Sequence, residues 1–213
     1  MINATIDNNY RTLVNVTPTK QVESVTDWSA VAQNTIKLSD VIDCSAHYGT
    51  LLHLQAGLDT TTAHTGTRFL IQVSSGTAGN EDWQDYTEFV GLIGTASNGT
   101  ITNNPLAAGG TVINTPSTTG FAAAGAWKFI KDATLANSEL FMESGYVSNG
   151  SVTCVDGLTN AHVLNTQMYS IALSQPIVLD QSIYRARMVI DNSYDNDGST
   201  LNYKLRASKI TAI

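Results

Sequence analysis

The sequence predicts an all-β protein, a jelly-roll-like antiparallel β-sandwich, on three observations. First, apolar and polar residues alternate with a period of two in many short segments, the pattern of half-buried strands. Second, turn residues separate these segments, and Gly, Asn, Ser and Thr together make up more than a third of the 213 residues. Third, no repeat with a period of about 20 to 50 residues is present, which disfavours propellers and solenoids.

In the first part of the chain the alternation predicts strands over residues 10–16, 35–43, 50–57 and 68–74. In the last of these, Phe69, Ile71 and Val73 fall on one face. A short helical turn is predicted around residues 28–33. The segment 80–94 fits a helix almost as well as a strand, so its type stays open.

Residues 95–125 are dominated by Gly, Thr, Asn, Ser and Ala. This composition predicts a long, exposed excursion with short strands at 100–102 and 111–113. Loops of this length in compact domains are usually functional or part of an interface. We therefore expect the excursion to contact another subunit and to be dispensable for folding.

Strands resume over residues 127–131, 139–147, 151–155 and 163–173. The sequence SNGS at 148–151 predicts a hairpin with Asn149 and Gly150 in a type I′ turn. We divide the chain into a main β-sandwich, residues 1–75 plus 161–213, and an inserted β-rich excursion or small barrel, residues 76–160.

The last two alternating segments, 184–190 and 201–208, predict a hairpin in which Ile190 faces Leu201. This register places four cations on one sheet face as candidate interface residues: Arg185, Arg187, Lys204 and Arg206. Like charges directly opposite each other are unfavourable, so something should offset them. Acidic residues of the same chain are one interpretation, and docking onto an acidic neighbouring subunit is the other.

Composition restricts the function classes. A net charge of −7 argues against general nucleic-acid binding. No stretch approaches the ~18 apolar residues of a membrane span, and the N-terminal residues show no signal-peptide pattern. We therefore expect synthesis in the cytoplasm and no membrane partner. Cys44 and Cys154 have no metal or redox spacing and are expected to be free buried thiols.

No catalytic motif is present, so the sequence predicts neither enzymatic activity nor a cofactor. Among the histidines, His47, His53, His64 and His162, no two have zinc-ligand spacing. His53 is expected to be a packed strand residue and His64 a turn residue. The acidic residues between 81 and 88 are expected to form a solvated edge rather than a glycosidase pair.

One weak metal candidate lies in the run DNSYDNDGST, where Asp195 and Asp197 precede Gly198. A calcium loop of the EF-hand type would require Asp or Asn at 193 and Glu at 204, whereas this chain has Ser193 and Lys204. A β-turn is the preferred interpretation.

Three segments look familiar: LSDVIDCSAHYGTLLHLQAGLDTTTAHTGTRFLIQVSSGTAGNEDW, WKFIKDATLANSELFMESGYVSNGSVTCVDGLTNAH and YRARMVIDNSYDNDGSTLNYKLRASKIT. They resemble uncharacterised structural proteins of tailed bacteriophages. The resemblance implies a virion component, and a capsid decoration (cement) protein fits the size and composition best. Such proteins bind the outside of a shell of major capsid protein, often as trimers. The resemblance supplies no functional residues.

Two alternatives remain at this point. The first is a carbohydrate-binding or host-adhesion module, which would require exposed aromatic residues, and Trp83 and Trp127 are its candidates. The second is a head–tail connector or another tail component of a phage particle.

Overall fold

The computed structural model describes residues 19–45, 49–121, 124–180, 182–193 and 198–211. Every pairing between described strands is antiparallel. Within these ranges the helical structure is one 3₁₀ turn, Leu135–Asn137, and no helix is long and apolar enough to cross a membrane. The predicted all-β antiparallel class is confirmed. The predicted strand at 10–16 and His47 lie outside the described residues.

The strands of the first half are β1 Thr19–Val31, β2 Ile36–Leu38, β3 Ile42–Asp43, β4 Gly49–Asp59, β5 Ala63–His64, β6 Thr67–Ser74, β7 Gln84–Gly91, β8 Gly94–Thr95 and β9 Asn98–Thr100. Those of the second half are β10 Val112–Asn114, β11 Trp127–Lys131, β12 Glu139–Val147, β13 Ser151–Cys154, β14 Gln167–Tyr169, β15 Ala172–Leu179, β16 Arg185–Asp191 and β17 Thr200–Thr211.

Two sheets form the sandwich. Sheet A has the strand order β1-β17-β4-β15, and sheet B has the order β2-β16-β6-β7, with β3 also pairing with β16. Alternate residues of each sheet meet in one core, which includes Leu54 and Tyr203 from sheet A and Phe69 and Met188 from sheet B. The predicted common face of β6 is confirmed for Phe69 and Ile71, which are fully buried, and Val73 packs against the same core.

Sheet C, with the order β10-β13-β12-β11-β14-β9, is built between the end of β7 and the start of β15. The two faces of sheet C pack against different parts of the molecule, because successive side chains of a strand point to opposite faces. Ile130 and Met168 point into a second core, whereas Phe129 and Tyr169 point towards sheet A. Strands β5 and β8 form a small separate ribbon.

Sheet C packs against the outer face of sheet A through a cluster of aromatic side chains. The Phe129 ring lies 5.2 Å from the Trp28 ring and 6.4 Å from the Tyr169 ring, measured between centroids. Beneath Phe129, sheet A has Gly57, where a Cβ atom would come within 2.2 Å of the Phe129 ring. Lys131 forms an ion pair with Asp59 beside this contact.

The predicted final hairpin is wrong. Strand β16 pairs with β2, β3 and β6 in sheet B, whereas β17 pairs with β1 and β4 in sheet A. Instead of folding back beside β16, the chain crosses from one sheet to the other between residues 191 and 200. Alternation identified both strands and their inner faces, but it carries no information about the partner of a strand.

Two further expectations fail. The helical turn at 28–33 is wrong, because Trp28 lies in β1 where its register on β17 shifts, and a bulge of this kind interrupts the alternation. The excursion at 95–125 is not an exposed loop, since it contributes β9, β10 and the fully buried side chains Ile101, Ile113 and Phe121 to sheet C and its core.

The hairpin at SNGS is confirmed, since Val147 pairs with Ser151 across it. Its turn is not of type I′, because only Asn149, with a φ of 50°, has a positive φ among the residues of the turn. The open segment 80–94 is resolved as strand β7. The division of the chain at residues 76 and 160 stays a prediction.

We predict that Gly57→Ala destabilises the protein by about 1–3 kcal/mol, because the added methyl group overpacks the contact with Phe129. Chemical denaturation measures the change. Gly145→Ala is the matched control, since a Cβ at this strand glycine meets nothing within 4 Å. Equal stability of the two variants would contradict the close contact between the sheets.

Candidate functional site

The four predicted interface cations occupy opposite sides of the sandwich. Arg185 and Arg187 lie on the outer face of sheet B, and Lys204 and Arg206 lie on the outer face of sheet A. They therefore do not share one sheet face, which corrects the predicted register. Their role in binding another subunit stays a prediction.

On sheet B, side chains of the same chain engage both arginines: carboxylates at Arg185, and an amide and an aromatic ring at Arg187. Arg185 donates to Glu81 at 2.8 Å and lies 3.9 Å from Asp43. Arg187 donates to the Gln72 side chain at 2.9 Å, and its guanidinium stacks 4.2 Å from the Trp83 ring centroid. These contacts favour the interpretation that acidic residues of the same chain offset the charge of Arg185, while Arg187 is held by uncharged groups.

On sheet A, Lys204 donates to Asp27 at 2.7 Å, and this hydrogen bond is the main reason why the pKa of Asp27 lies below its usual value. Arg206 is exposed and lies opposite His53 in the register of β17 and β4. His53 is half-buried and shares a 2.8 Å hydrogen bond with the Ser174 hydroxyl. Burial, aided by Arg206, lowers the pKa of His53, so this histidine is a packed, neutral strand residue, as expected.

The aromatic candidates for glycan binding are not open platforms. The Arg187 guanidinium covers one face of the Trp83 ring, and both Trp83 and Trp127 are half-buried. Neither tryptophan is a fully exposed aromatic residue of the kind that the adhesion alternative would require.

Asp195 and Asp197, the weak calcium candidates, lie outside the described residues. Within the described ranges no three His, Cys, Asp or Glu side chains come together as metal ligands. The prediction that His64 is a turn residue is wrong: His64 is a buried residue of β5, and its Nε2 lies 3.2 Å from the Thr67 hydroxyl.

The inner face of sheet C carries buried charges. Lys128 and Glu143 are almost fully buried, and Nζ lies 3.5 Å from Oε2, the geometry of an ion pair rather than a hydrogen bond. The ammonium donates to the Gly120 carbonyl at 3.0 Å, but neither Glu143 oxygen accepts a hydrogen bond from the described residues. Burial lowers the pKa of Lys128, and the Glu143 carboxylate opposes this shift.

A second buried group on this face is His162, which lies between two carboxylates. Its Nδ1 is 3.1 Å from Asp132 Oδ2, and its Nε2 is 2.8 Å from Glu139 Oε1. The Glu139 carboxylate also accepts the backbone N–H groups of Thr159 and Asn160 at 2.7 and 3.0 Å. Burial alone would lower the pKa of His162, but the hydrogen bonds to Glu139 and Asp132 outweigh it and raise the pKa.

The Asp132–His162–Glu139 group is a clamp between segments. The backbone of His162 exchanges two hydrogen bonds with Leu106, at 2.9 and 2.8 Å, so the clamp also holds the chain preceding β10. The nearby Cys154 thiol is buried, which raises its pKa to about 12 and keeps it protonated. Cys44 and Cys154 are both free and buried, as expected. The clamp is therefore suited to holding loops together.

Sequence reasoning missed both buried groups. Strand β12 alternates so that Glu139, Phe141 and Glu143 share one face, and this face is the buried one. In the sequence, glutamates on both sides of a phenylalanine suggest a strand face exposed to solvent. Only the pairing of β12 with β11 reveals that Lys128 lies opposite Phe141 on this face. The one usable sequence signal for the second group was the presence of a histidine, His162, in a turn-rich segment.

A cleft of about 440 Å³ runs between the edge strands β7 and β15, where the sandwich is open. Its walls include Thr87 and Phe89 from β7, and Leu173, Gln175 and Ile177 from β15. Thr87 and Phe89 pair with Ile71 and Phe69, so all four point between the sheets.

No protein-family model matches the chain, and no curated protein matches it. Among solved structures, VP17, a capsid protein of bacteriophage P23-77, is 9% identical over 92% of this chain and 99% of that chain, with a TM-score of 0.20. A structure of infectious bursal disease virus, Gx strain, is 8% identical over 99% of this chain, with a TM-score of 0.26. This chain spans only 45% of the latter. These likenesses are too weak to support an argument about function.

We predict that Lys128→Met costs about 3–5 kcal/mol of stability, because it leaves the Glu143 carboxylate buried without a counter-ion. The double variant Lys128→Met, Glu143→Leu removes both charges and should recover most of this loss. Urea unfolding of both variants measures the difference. A double variant as unstable as the single one would show that the ion pair is not the cause.

We predict that His162 makes stability depend on pH. Its folded pKa is raised above the ~6.5 of an unfolded histidine. The contribution is therefore fully present below about pH 6.5 and is lost as the pH rises through the folded pKa. Urea unfolding across this window should show wild-type stability falling relative to His162→Gln, which does not titrate. A constant difference between the two proteins would disprove the charged clamp.

Proposed function

We propose that this protein is a virion structural protein, a capsid decoration protein that binds a shell of major capsid protein through the outer face of sheet B. The observation that carries the proposal is an apolar row on that face. Ile36 and Leu38 of edge strand β2 are 62% and 49% exposed. Leu38 lies beside half-buried Val189 of β16, which in turn lies beside Leu70 of β6, so the exposed part of the row is on β2 and Leu70, 8% exposed, is its buried end.

The polar groups of the same face support this proposal. Arg185 and Arg187 lie along β16 beside the apolar row, and their charges are held in place by Glu81, Asp43 and Gln72. An apolar centre with an ordered polar border is the usual composition of a protein interface. Decoration requires area repeated many times rather than reactive groups.

The resemblance of three segments to structural proteins of tailed phages supplies the context of a virion. The ionisable groups of sheet C also support a structural role, because their placement argues against a catalytic one. Lys128, Glu143 and His162 are buried and engaged with other groups of the chain, so they are placed to stabilise the protein rather than to meet a substrate.

Copy number in purified particles tests the proposal. A decoration protein should be present in hundreds of copies, in a fixed ratio to the major capsid protein, by quantitative mass spectrometry. A dozen copies or fewer would identify a connector or tail component and would overturn decoration.

The proposed face is tested by binding to shells that lack the protein. We predict that Leu38→Asp lowers the amount that sediments with such shells at least about tenfold, because it places a charge in the apolar centre of the contact. Val178→Asp is the control, since Val178 is 74% exposed on the other side of the sandwich. Equal binding of both variants would contradict the assignment of sheet B.

A further inference from the structure

The two long sides of the sandwich differ. On one side, β1 is followed by β2, and Lys37 of β2 donates to the Ala30 carbonyl of β1, so the chain itself closes this side. On the other side, β7 and β15 are the end strands of sheets B and A. No described strand pairs with the outer edge of either one, and the cleft of about 440 Å³ lies between them.

The cleft is closed at one end and open at the other. At the closed end, a Cβ atom on Gly91 of β7 would lie 3.1 Å from the Leu173 side chain of β15, so the two sheets are in close contact there. At the open end, Thr87 is exposed although it points between the sheets. The floor includes Phe89 and Ile177, which belong to the sandwich core or pack against it. Core-forming side chains therefore line a cleft between two strand edges.

Strand β7 offers the better edge for an added strand. An edge strand presents a row of unpaired N–H and C=O groups, and a strand placed here would satisfy them and cover the apolar floor at once. Strand β15 contains Pro176, and a proline lacks the backbone donor that a ladder needs. Strand β7, Gln84–Gly91, has eight residues and no proline. A continuous ladder of hydrogen bonds is therefore favoured on β7.

The border of the cleft along β7 is acidic. Asp85 and Glu88 lie on the outer face of β7, opposite Gln72 and Leu70 of β6. Glu88 pairs with Arg68, yet its side chain stays 57% exposed. Asp85 accepts a hydrogen bond from the Gln72 amide at 2.9 Å, and no described cation pairs with it. The border along β15 has uncharged outer residues: Ser174, Pro176 and Val178.

We propose that the cleft binds a β-strand of another protein in which apolar residues alternate with lysine or arginine. In such a strand every second side chain points to the same face. The apolar set lies on the floor formed by Phe89 and Ile177. The basic set lies on the outer face beside Asp85 and Glu88, where it forms cross-strand pairs of opposite charge.

A second copy of this chain is a poorer occupant. Antiparallel pairing of two β7 strands would bring Asp85 and Glu88 of one copy close to the same residues of the other, and like charges on neighbouring strands are destabilising. Strands β16 and β17 alternate basic and apolar residues, but both are already paired on their two sides. The cleft lies at the opposite end of sheet B from β2, so this inference does not depend on the proposed decoration role.

Titration of the isotope-labelled full chain with a synthetic peptide, followed by NMR, tests the proposal. The peptide alternates valine and lysine and has the length of β7. We expect saturable shifts of the backbone amide resonances of β7 and β15. A peptide that alternates valine and glutamate should bind at least about tenfold more weakly, because it places like charges beside the acidic border. A valine–lysine peptide that is N-methylated on the amides facing β7 should also bind at least about tenfold more weakly, because it loses backbone hydrogen bonds.

Charge variants locate the contact on β7. The double variant Asp85→Asn, Glu88→Gln should bind the valine–lysine peptide at least about threefold more weakly, because it loses two surface charge pairs with the peptide. The double variant Asp40→Asn, Asp156→Asn is the matched control. It changes the net charge by the same amount at exposed positions outside the cleft, and it should bind like the wild type.

Four results would each overturn the proposal. The first is the absence of shifts at millimolar peptide, and the second is a set of shifts that maps away from β7 and β15. The third is equal binding of the lysine and glutamate peptides. The fourth is an oligomer, measured by light scattering, that the peptide dissociates, because a second copy would then occupy the edge.

Discussion

The contact of Phe129 with Gly57 fixes how the two halves of this molecule meet. A sheet face is normally covered by side chains about 10 Å from the next backbone, but here a glycine allows an aromatic ring to lie directly on the strand. Trp28 and Tyr169 enclose the same ring, and the Lys131–Asp59 ion pair borders it. Sheet C thereby gains a fixed orientation on sheet A, and its other face is left to build a separate core.

That separate core is small and loop-rich, which explains its buried charges. The sandwich core is continuous and made of large aliphatic and aromatic residues. The core of sheet C is covered by segments rich in Gly, Thr and Ala. Such segments bring little apolar area. Charged groups that bind backbone atoms from several loops, as Glu139 and Lys128 do, tie these segments to the sheet where hydrophobic burial is limited.

The sequence predicted the elements better than their partners. Alternation identified β11 and β12 at their observed bounds, because each strand has two faces of different character. It failed for β16 and β17, since both have a clear inner face whether they pair in one sheet or face each other across the core. It also could not show that Glu139 and Glu143 are buried, because their partners are supplied by other segments.

The chain departs to build sheet C and returns from it at neighbouring points. The Ser97 carbonyl accepts a hydrogen bond from the Ser170 amide at 2.9 Å, so the two ends of this long segment touch. The entropy cost of bringing the ends of a segment together grows only slowly with its length, so a long segment is tolerated between two such points. In evolutionary terms, an insertion or deletion in the chain between these two ends would alter sheet C without changing where the chain leaves and re-enters the sandwich.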